Sequence, residues 1–479
     1  MVKTASKSEY LESIYLHKKI MTLITADIYL EQFIAQYGDR TKTSKQLTQT
    51  YRPTLADPRV SAGFSLPLKE ICYPIVAQKS LGSKIWDVDG NEYIDLIMGF
   101  GINLLGHNPP MIKQAIIEQL DQGMAIGVQT QLAGEVAELI KELTGMARVT
   151  LSNTGTEAVI TAIRLARAAT GRDKIAIFSG SYHGHLDATL VDMREIDGSF
   201  QTIAKADGIP QGVVKDTLVL DYGNYDSLEV IRNHSRELAA VLVEPVQSCR
   251  PNLQPKEFLQ QLRVLTEELG IVLIFDEMIT GFRVHQGGAQ AWFEVEADIA
   301  TYGKIVGGGL PIGVIAGKAE YLDKIDGGMW NYGDRSFPEV KTTFFAGTYC
   351  KHPLSLAAAK AMLTYLKAEG NSLQRELGDR TTKFVGEINS CFAKFELPIV
   401  MANFGSCFDA VLDYNSLPNT AIDSVDLGID LLSYHLLHRG VLIRAGSGCL
   451  STAHTDSQLD YVVSAIEDSL KDLRRVDLL

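Results

Sequence analysis

The sequence predicts an α/β fold with a mostly parallel sheet flanked by helices. Three short runs are apolar and rich in β-branched residues, and each ends at polar or glycine residues: Lys174–Phe178, Ala239–Val243 and Ile271–Phe275. Helical patterns separate these runs, as is typical of a parallel sheet that is buried on both faces. The length of 479 residues allows two or three domains, or one large α/β unit with a satellite.

The first 50 residues are expected to form a helical appendage or linker. They are polar and carry several lysines, and proline-containing breaks follow at Tyr51–Pro53 and Asp57–Pro58. One or two amphipathic helices are predicted, because apolar residues recur at roughly helical spacing: Leu11, Ile14, Tyr15, Ile20, Leu23 and Ile24.

Further along the chain, local patterns predict individual elements. The segment Lys84–Asp95 has an Asp-Gly-Asn turn between two apolar runs, which indicates a β-hairpin. Val149–Ser152 is predicted to be a strand, and Glu157–Thr170 a helix that stops at Gly171. From about Leu354 the chain is helix-rich, and it ends in an amphipathic helix over Leu459–Leu473.

Composition excludes several classes of protein. The net charge of −13 provides no overall positive excess for general nucleic-acid binding. No apolar run approaches the ~20 residues that span a bilayer, and the N-terminus lacks a secretory signal, so we expect a cytoplasmic protein that binds no membrane. The six cysteines are scattered without a CxxC motif, which favours reduced thiols over disulfides or a metal site.

Three segments carry candidate chemistry. Ser152–Glu157 leads from a strand into a helix, so its free N–H groups can form a phosphate cup at Gly155 and Thr156. The alternative is plain N-capping by Thr154 or Thr156. Asp276 stands at the carboxyl end of a buried strand, where α/β sheets bind ligands, although it could also cap the next helix.

The third segment surrounds Lys304. Glycines lie close to this lysine on both sides, and Gly307–Gly309 with Pro311 leave room for a ligand near the backbone. The alternative is an ordinary surface lysine, which is the default for this residue type. A phosphate cup, an acid for a ring nitrogen and a lysine amine together match the needs of pyridoxal phosphate. Lys304 would form the Schiff base and Asp276 would keep the pyridinium protonated.

These motifs resemble those of the class III aminotransferases, which are fold type I pyridoxal-phosphate enzymes. The resemblance covers roughly Tyr73 to the C-terminus and includes the stretches Asn153–Ala158, Tyr182–His185, Glu244–Gln247, Asp276–Arg283 and Phe345–Thr348. It implies catalytic roles for Lys304, Asp276 and Tyr182. The implied cofactor-binding residues are Gly155, Thr156, Tyr182, His183, Glu244, Gln247, Asp276, Met278, Lys304 and Thr348.

Several of these roles are specific. The family resemblance implies that Tyr182 lies against one face of the cofactor ring and Met278, where the family usually has Val or Ile, against the other. Gln247 would approach the phenolic oxygen. Thr348 would reach the phosphate of the other subunit's cofactor, so a homodimer with shared active sites is implied.

The resemblance also implies a domain layout. Residues 1–50 would be the appendage, 51–105 the N-terminal part of a smaller α+β domain, 106–350 the large cofactor-binding domain and 351–479 the C-terminal part of the small domain. Within class III, the chain most resembles the glutamate-1-semialdehyde aminomutase branch. It resembles still more the aminotransferase domains of hybrid polyketide and nonribosomal peptide synthases, through the Trp330–Pro353 insertion and the Arg59–Phe64 segment.

The acceptor of the amino group is predicted from the absence of a positively charged residue. Many class III enzymes have a late arginine that clamps a substrate carboxylate, but Ser451 stands at that position here. The mutase's upstream arginine is matched by Phe64 or Ser65, with Arg59 and Lys69 nearby but unassigned. A neutral β-ketoacyl thioester on an acyl carrier protein therefore fits, unless Arg283 or Arg444 binds a carboxylate.

The predicted reaction moves an amino group from an amino acid donor to that thioester, with Lys304 as general base and acid. The alternatives are a glutamate-1-semialdehyde-type aminomutase, an ω-aminotransferase acting on a free amine and a non-catalytic cofactor-binding scaffold.

Overall fold

The computed structural model describes residues 26–412 and 422–479. Residues 26–40 (α1) and Lys42–Tyr51 (α2) are helical, whereas the predicted apolar positions from Leu11 to Ile24 lie outside the described residues. Asp89, in the turn of the predicted hairpin, accepts hydrogen bonds from the backbone N–H groups of Thr43 and Ser44 at 2.7 and 3.1 Å. A carboxylate at the N-terminus of a helix stabilises that helix, so this turn anchors α2 to the rest of the fold.

The strands and helices follow one another along the whole chain. In chain order, the strands are β1 (Ala77–Leu81), β2 (Lys84–Asp87), β3 (Glu92–Asp95), β4 (Arg148–Ser152), β5 (Lys174–Phe178), β6 (Val191–Ile196), β7 (Ser199–Ala204), β8 (Thr217–Leu220), β9 (Leu238–Val243), β10 (Val272–Asp276), β11 (Ile299–Tyr302), β12 (Gly313–Gly317), β13 (Ile399–Phe404), β14 (Cys407–Leu412), β15 (Val441–Leu442) and β16 (Gly448–Cys449). The helices that follow α2 are α3 (Met98–Gly101), α4 (Pro110–Gln122), α5 (Gln131–Thr144), α6 (Gly155–Thr170), α7 (Gln211–Lys215), α8 (Asp226–Asn233), α9 (Lys256–Leu269), α10 (Gly288–Phe293), α11 (Ala319–Asp326), α12 (Pro353–Glu369), α13 (Ser372–Lys394), α14 (Ile422–His438) and α15 (Asp456–Arg474).

The central sheet has seven strands in the order β4-β12-β11-β10-β9-β5-β8. Every adjacent pair from β11 to β8 is parallel, which confirms the predicted sheet, but β12 runs antiparallel to both β11 and β4. The reason is the connection from β11 to β12, residues 303–312, which contains only a 3₁₀ turn. A parallel return needs a crossover of a dozen or more residues, usually with a helix.

Successive residues of the central strands enter two separate cores. Leu273 and Phe275 of β10 pack into one buried cluster, whereas Val272 and Ile274 pack into the other. Helix α6 supplies much of the second cluster, and α5, α9 and α12 belong to the first. The strands are therefore covered by helices on both faces, which explains why their sequences are continuously apolar rather than alternating.

One of the smaller sheets contains strands from both the N-terminal and the C-terminal regions. The predicted hairpin forms β2 and β3, and β15 from the C-terminal region pairs parallel with β3. A second sheet has the order β13-β14-β16, and β6 and β7 form a separate hairpin. The predicted final amphipathic helix is α15, which begins with a capping box at Thr455. No helix in the described ranges is long and apolar enough to cross a bilayer.

The expectation of reduced thiols is wrong for one cysteine pair. Cys407 and Cys449 form a disulfide between the antiparallel neighbours β14 and β16, with their Cα atoms 4.0 Å apart. The two residues are 42 positions apart in sequence. Strand register, which the scattered cysteine spacing does not reveal, brings them together.

Candidate active site

The candidate site lies where two neighbouring parallel strands end. Asp276 is the last residue of β10, and Lys304 follows β11 after Gly303. Asp276 pairs in register with Thr301, so the carboxylate and the lysine segment lie at the same edge of the sheet. This edge is where open α/β sheets bind their ligands.

Asp276 is buried and held in a fixed orientation. One carboxylate oxygen lies 2.7 Å from Nδ1 of His183, which is also buried. The other accepts hydrogen bonds from the backbone N–H of Met278 and from the Thr301 hydroxyl, both at 3.2 Å. Nε2 of His183 is buried and has no hydrogen-bond partner in the described part of the chain. The loop residue His183 and Thr301 of β11 thus hold different oxygens of the carboxylate.

Lys304 has an environment that favours the neutral amine. Burial lowers its pKa, and the positive charge of Arg283 lowers it further, while Asp276 and Glu244 act in the opposite direction. A lysine with a depressed pKa has more neutral amine for attack on a carbonyl at neutral pH. The backbone at Lys304 is also strained, with φ at +39°.

Glu244 is a second buried carboxyl group beside the lysine. Its side chain accepts a hydrogen bond from the backbone N–H of Tyr182 at 3.0 Å. Burial raises the pKa of Glu244 to about 7, and the charge of Asp276 raises it as well, against the opposite effects of His183 and Lys304. Glu244 and Asp276 therefore share a site, yet Glu244 holds its proton far more readily than an ordinary carboxyl group.

The start of α6 is compatible with both interpretations of its sequence, helix N-capping and a phosphate cup. Thr154 caps the helix, because its hydroxyl accepts from the Glu157 N–H at 3.2 Å. The next two N–H groups, those of Gly155 and Thr156, have no acceptor within the described ranges. Capping therefore leaves two donors at the positive end of the helix dipole, an arrangement that can bind a phosphate.

Met278 fills the space between the phosphate cup and the lysine. A Cβ atom at Gly155 would lie 2.8 Å from the Met278 sulfur, and one at Gly303 would lie at the same distance. A side chain at either glycine would therefore require this thioether to shift. Tyr182, by contrast, is 62% exposed, so one large aromatic face is open toward solvent.

Gln247 and Thr348 are two predicted cofactor residues whose contacts with the cofactor stay predictions. The Gln247 amide donates to the Ser179 carbonyl and the Ser181 hydroxyl, both at 2.8 Å, and its oxygen accepts from Arg250. Gln247 therefore supports the segment that precedes Tyr182, and its contact with the phenolic oxygen stays a prediction. Thr348 is exposed on a loop, and its contact with a second subunit stays a prediction as well.

The charged candidates for carboxylate binding differ in availability. Arg283 is fully buried and donates to the carbonyls of Ile279 and Gly101 and to the hydroxyl of Ser406. Its guanidinium is thus committed to protein oxygens, and burial lowers its pKa to about 10. Arg59 is exposed and paired with Asp57.

Ser451, at the position of the family's late arginine, is completely buried and hydrogen-bonded to His454. Neither Arg283 nor Ser451 therefore offers a free guanidinium to a substrate.

Other functional contacts were missed in the sequence. Thr301, Ser181 and Arg250 position the predicted residues, but each is a common residue type in a strand or loop without a distinctive pattern. The Arg283 partner Gly101 could have been suspected from the glycine-rich Met98–Gly101 segment, in which a Cβ at residue 101 would clash with Arg283 at 2.7 Å.

The assembled residues fit pyridoxal phosphate. Free N–H groups at α6 match its phosphate, Asp276 matches its ring nitrogen and Lys304 matches its aldehyde. Solved structures with the same architecture define the class as fold type I pyridoxal-phosphate transaminases. An ω-transaminase from Sphaerobacter thermophilus superimposes with a TM-score of 0.79 at 30% identity, covering 90% of this chain and 98% of that protein.

A glutamate-1-semialdehyde aminomutase from Pseudomonas aeruginosa PAO1 shares the fold, with a TM-score of 0.78 at 22% identity over 94% of this chain and 99% of that one.

The chain belongs to the class III aminotransferases, a family that matches residues 68–393. The glutamate-1-semialdehyde 2,1-aminomutase of Alkaliphilus oremlandii (strain OhILAs) is 36% identical over 418 residues, which cover 84% of this chain and 92% of the relative. The enzyme of the same name from Fusobacterium nucleatum subsp. nucleatum is 35% identical over 410 residues, covering 83% and 90%. The chain is thus a pyridoxal-phosphate-dependent enzyme.

Proposed function

We propose that this enzyme moves an amino group in the manner of the glutamate-1-semialdehyde aminomutase branch of its family. The observation that carries the proposal is the placement of Lys304 and Asp276 at adjacent strand ends, beside the free N–H groups of α6. The first candidate reaction is the intramolecular transfer for which the curated relatives are named, because they match over most of both chains.

Each site residue has a role in this chemistry. Bound pyridoxal phosphate supplies an aldehyde that captures amines and a ring that accepts an electron pair from the substrate carbon. Lys304 would hold that aldehyde until a substrate amine takes its place, and its freed amine would then take a proton from the substrate carbon and return it at the neighbouring position. Asp276, oriented by His183, would hold the proton at the ring nitrogen. Gly155 and Thr156 would hold the phosphate through their backbone N–H groups.

Two side chains of different type would fix the ring. Tyr182 would cover one face and Met278 the other. Met278 is already wedged between Gly155 and Gly303, so this face is formed before any ligand binds. A ring held in one plane presents only one substrate bond for cleavage, which is how orientation selects the reaction.

A second candidate reaction transfers the amino group between two molecules. Its acceptor would be a β-ketoacyl thioester on an acyl carrier protein, and an amino acid would be the donor. The observation that favours it is the commitment of Arg283 to three protein oxygens together with the buried Ser451. A carboxylate close to the reacting carbon would then be desolvated without a charged partner, which is costly, whereas a thioester is neutral.

A homodimer in the cytoplasm completes the proposal. Several large apolar side chains are exposed on the segment that includes Thr348: Met329 is 79% exposed, Tyr332 91% and Phe344 77%. Exposed apolar patches of this kind are typical of protein interfaces. Thr348 would then complete the partner's site.

One comparison tests the two reactions against each other. The purified enzyme, loaded with pyridoxal phosphate, is given glutamate 1-semialdehyde alone, or an amino acid with a β-ketoacyl carrier protein, and products are followed by mass spectrometry. Isomerisation without a second substrate supports the first candidate, and a β-amino acyl carrier supports the second. Lys304→Ala is the control, and a wild-type enzyme that performs neither reaction would overturn the proposed function.

A further inference from the structure

A cavity of about 310 Å³, called here the α1 cavity, lies between α1 and the two C-terminal helices α14 and α15. Its lining includes Gln32 and Gln36 of α1, His438 and Arg439 at the end of α14, and Arg475 directly after α15. None of the lining residues belongs to the candidate active site. The volume falls at the lower end of the range for small-molecule sites, about 300–1,000 Å³, so the cavity can hold a small ligand.

The charged side chains of the α1 cavity favour an anion. Nη2 of Arg439 lies 2.6 Å and Nη2 of Arg475 lies 3.7 Å from the carboxylate oxygens of Asp472. Among the described residues, no other carboxylate lines the cavity, so two guanidinium groups share one negative charge. The side chain of Arg475 is 71% exposed and only loosely paired, which leaves its guanidinium able to bind a ligand.

The hydrogen bonds of His435 leave a free donor in this cavity. A guanidinium only donates, so Nδ1 of His435, which lies 3.3 Å from Nη1 of Arg439, is an acceptor. Burial lowers the pKa of His435 to about 4, so the ring is neutral and its single proton is on Nε2. Nε2 therefore donates to the Tyr29 hydroxyl oxygen, 3.2 Å away. The Tyr29 hydroxyl keeps its own proton for another acceptor, and no residue in the ranges 26–412 and 429–479 accepts it.

A second polar atom of the lining also lacks a partner. Nδ1 of His438 is buried and makes no hydrogen bond to any described residue. Burial lowers the pKa of His438, and the positive charges of Arg40 and Arg439 lower it further. Buried polar atoms without a partner are rare in folded proteins, and a bound ligand or ordered water usually accounts for them. The α1 cavity therefore combines unpartnered polar atoms with an excess of positive charge.

We propose that the α1 cavity binds a phosphate group and so links the N-terminal helix to the C-terminal helices. Phosphate oxygens accept several hydrogen bonds, and the planar guanidinium fork of an arginine matches them. The donors come from different helices: the hydroxyl of Tyr29 and the amides of Gln32 and Gln36 from α1, and the guanidinium of Arg475 from the end of α15. Inorganic phosphate and a phosphate monoester share this chemistry, and the cavity has room for a small organic group beside the phosphate.

The test measures binding to the holoenzyme, in which pyridoxal phosphate occupies the phosphate cup of α6. Isothermal titration in phosphate-free buffer compares inorganic phosphate, glycerol phosphate and neutral glycerol. The cavity variants are Arg475→Ala, which removes an exposed guanidinium, and Gln36→Glu, which adds a negative charge with little change of shape. Arg375→Ala is the matched control, because Arg375 is an exposed helical arginine outside the cavity. We expect both cavity variants to bind phosphate about tenfold more weakly or worse, and the control to bind it like wild type.

Hydrogen exchange of the α1 amides provides a second measurement. Saturating phosphate should slow exchange over residues 26–40 in wild type and in Arg375→Ala, but not in Arg475→Ala, because the ligand holds α1 in place.

Tighter binding of glycerol phosphate than of inorganic phosphate identifies a monoester as the ligand, and equal affinity identifies the phosphate group alone. Absence of saturable phosphate binding by wild type, or unchanged affinity in either cavity variant, overturns the inference. Exchange in α1 that does not respond to saturating phosphate also contradicts it. Neither measurement involves turnover, so these outcomes are independent of the proposed amino transfer.

Discussion

At the scale of single residues, the site contains two buried carboxyl groups with different tasks. Asp276 is surrounded by hydrogen-bond partners, namely His183, Thr301 and the Met278 N–H. Glu244 has one backbone donor and is otherwise desolvated, which raises its pKa to about 7. Environment rather than residue type thus distinguishes the two carboxyl groups, because Asp276 has several hydrogen-bond donors whereas burial raises the pKa of Glu244.

Replacing Asp276 should affect chemistry more than cofactor retention. Asp276→Ala leaves the phosphate cup at Gly155 and Thr156 unchanged, but the ring nitrogen loses its charged partner. We expect the rate to fall by on the order of 10³-fold or more, equivalent to several kcal/mol in the barrier. Steady-state kinetics of this variant measure the loss of rate, and a cofactor titration measures its retained affinity for pyridoxal phosphate. Asp276→Asn keeps the shape and removes the charge, and near-normal turnover in either variant would refute the role.

Glu244 should make the stability of the apoprotein depend on pH. A carboxyl group whose pKa is higher in the folded state than in the unfolded state binds more protons when folded, so stability falls as pH rises between about 4.5 and 7. Glu244→Gln removes this ionisation, and its stability relative to wild type should rise across that window by up to about 3 kcal/mol. Urea unfolding at a series of pH values measures the difference. Glu195→Gln, an exposed position, is the control, and a pH-independent difference would disprove the assignment.

At the scale of elements, the site is assembled from the beginning of one helix and the ends of two strands. Helix α6 supplies donors, β10 supplies the carboxylate and the turn after β11 supplies the amine. Met278 packs against glycines from both of the other elements, so spacing within the site depends on the absence of two Cβ atoms.

Adding one carbon at the start of α6 should therefore weaken cofactor binding. In Gly155→Ala, the new methyl group would lie 2.8 Å from the Met278 sulfur and displace the thioether. We expect pyridoxal phosphate to bind at least about tenfold more weakly, a loss of about 1.4 kcal/mol. Gly134→Ala is the control, because a Cβ in that helix meets nothing within 4 Å. Equal cofactor affinity in the two variants would show that the packing is not tight.

Sequence patterns predicted these elements to different extents. The buried strands and α6 were predictable, because continuous apolar runs and a capped helix start are local signals. The antiparallel direction of β12 was not, since it follows from the short 303–312 connection, and neither was the Cys407–Cys449 pair, which depends on register. Asp276 and Lys304 were predicted as site residues from their positions, and their roles stay predictions. The commitment of Gln247 and Arg283 to protein partners required the folded arrangement.

At the scale of the whole molecule, strands from the N-terminal and C-terminal regions pair with each other, and several large apolar side chains are exposed between Met329 and Phe344. Strand β15 pairs with β3, so the N- and C-terminal regions form one sheet. The proposed domain boundaries remain predictions.

Dimerisation should be linked to cofactor affinity, because a ligand bound by two chains stabilises their association. Sedimentation should show a dimer, and Thr348→Ala should weaken binding of pyridoxal phosphate while the neighbouring exposed variant Tyr349→Phe does not. A fully active monomer would contradict this expectation.

The central claim is that Lys304 carries the cofactor, and borohydride reduction tests it most directly. The enzyme loaded with pyridoxal phosphate is reduced and digested, and the modified peptide is identified by mass spectrometry. Lys318, which is paired with Asp298, serves as an internal comparison. We predict that the peptide containing Lys304 carries the reduced cofactor and that Lys304→Ala abolishes the labelling. Labelling of any other lysine, with Lys304 unmodified, would contradict the account.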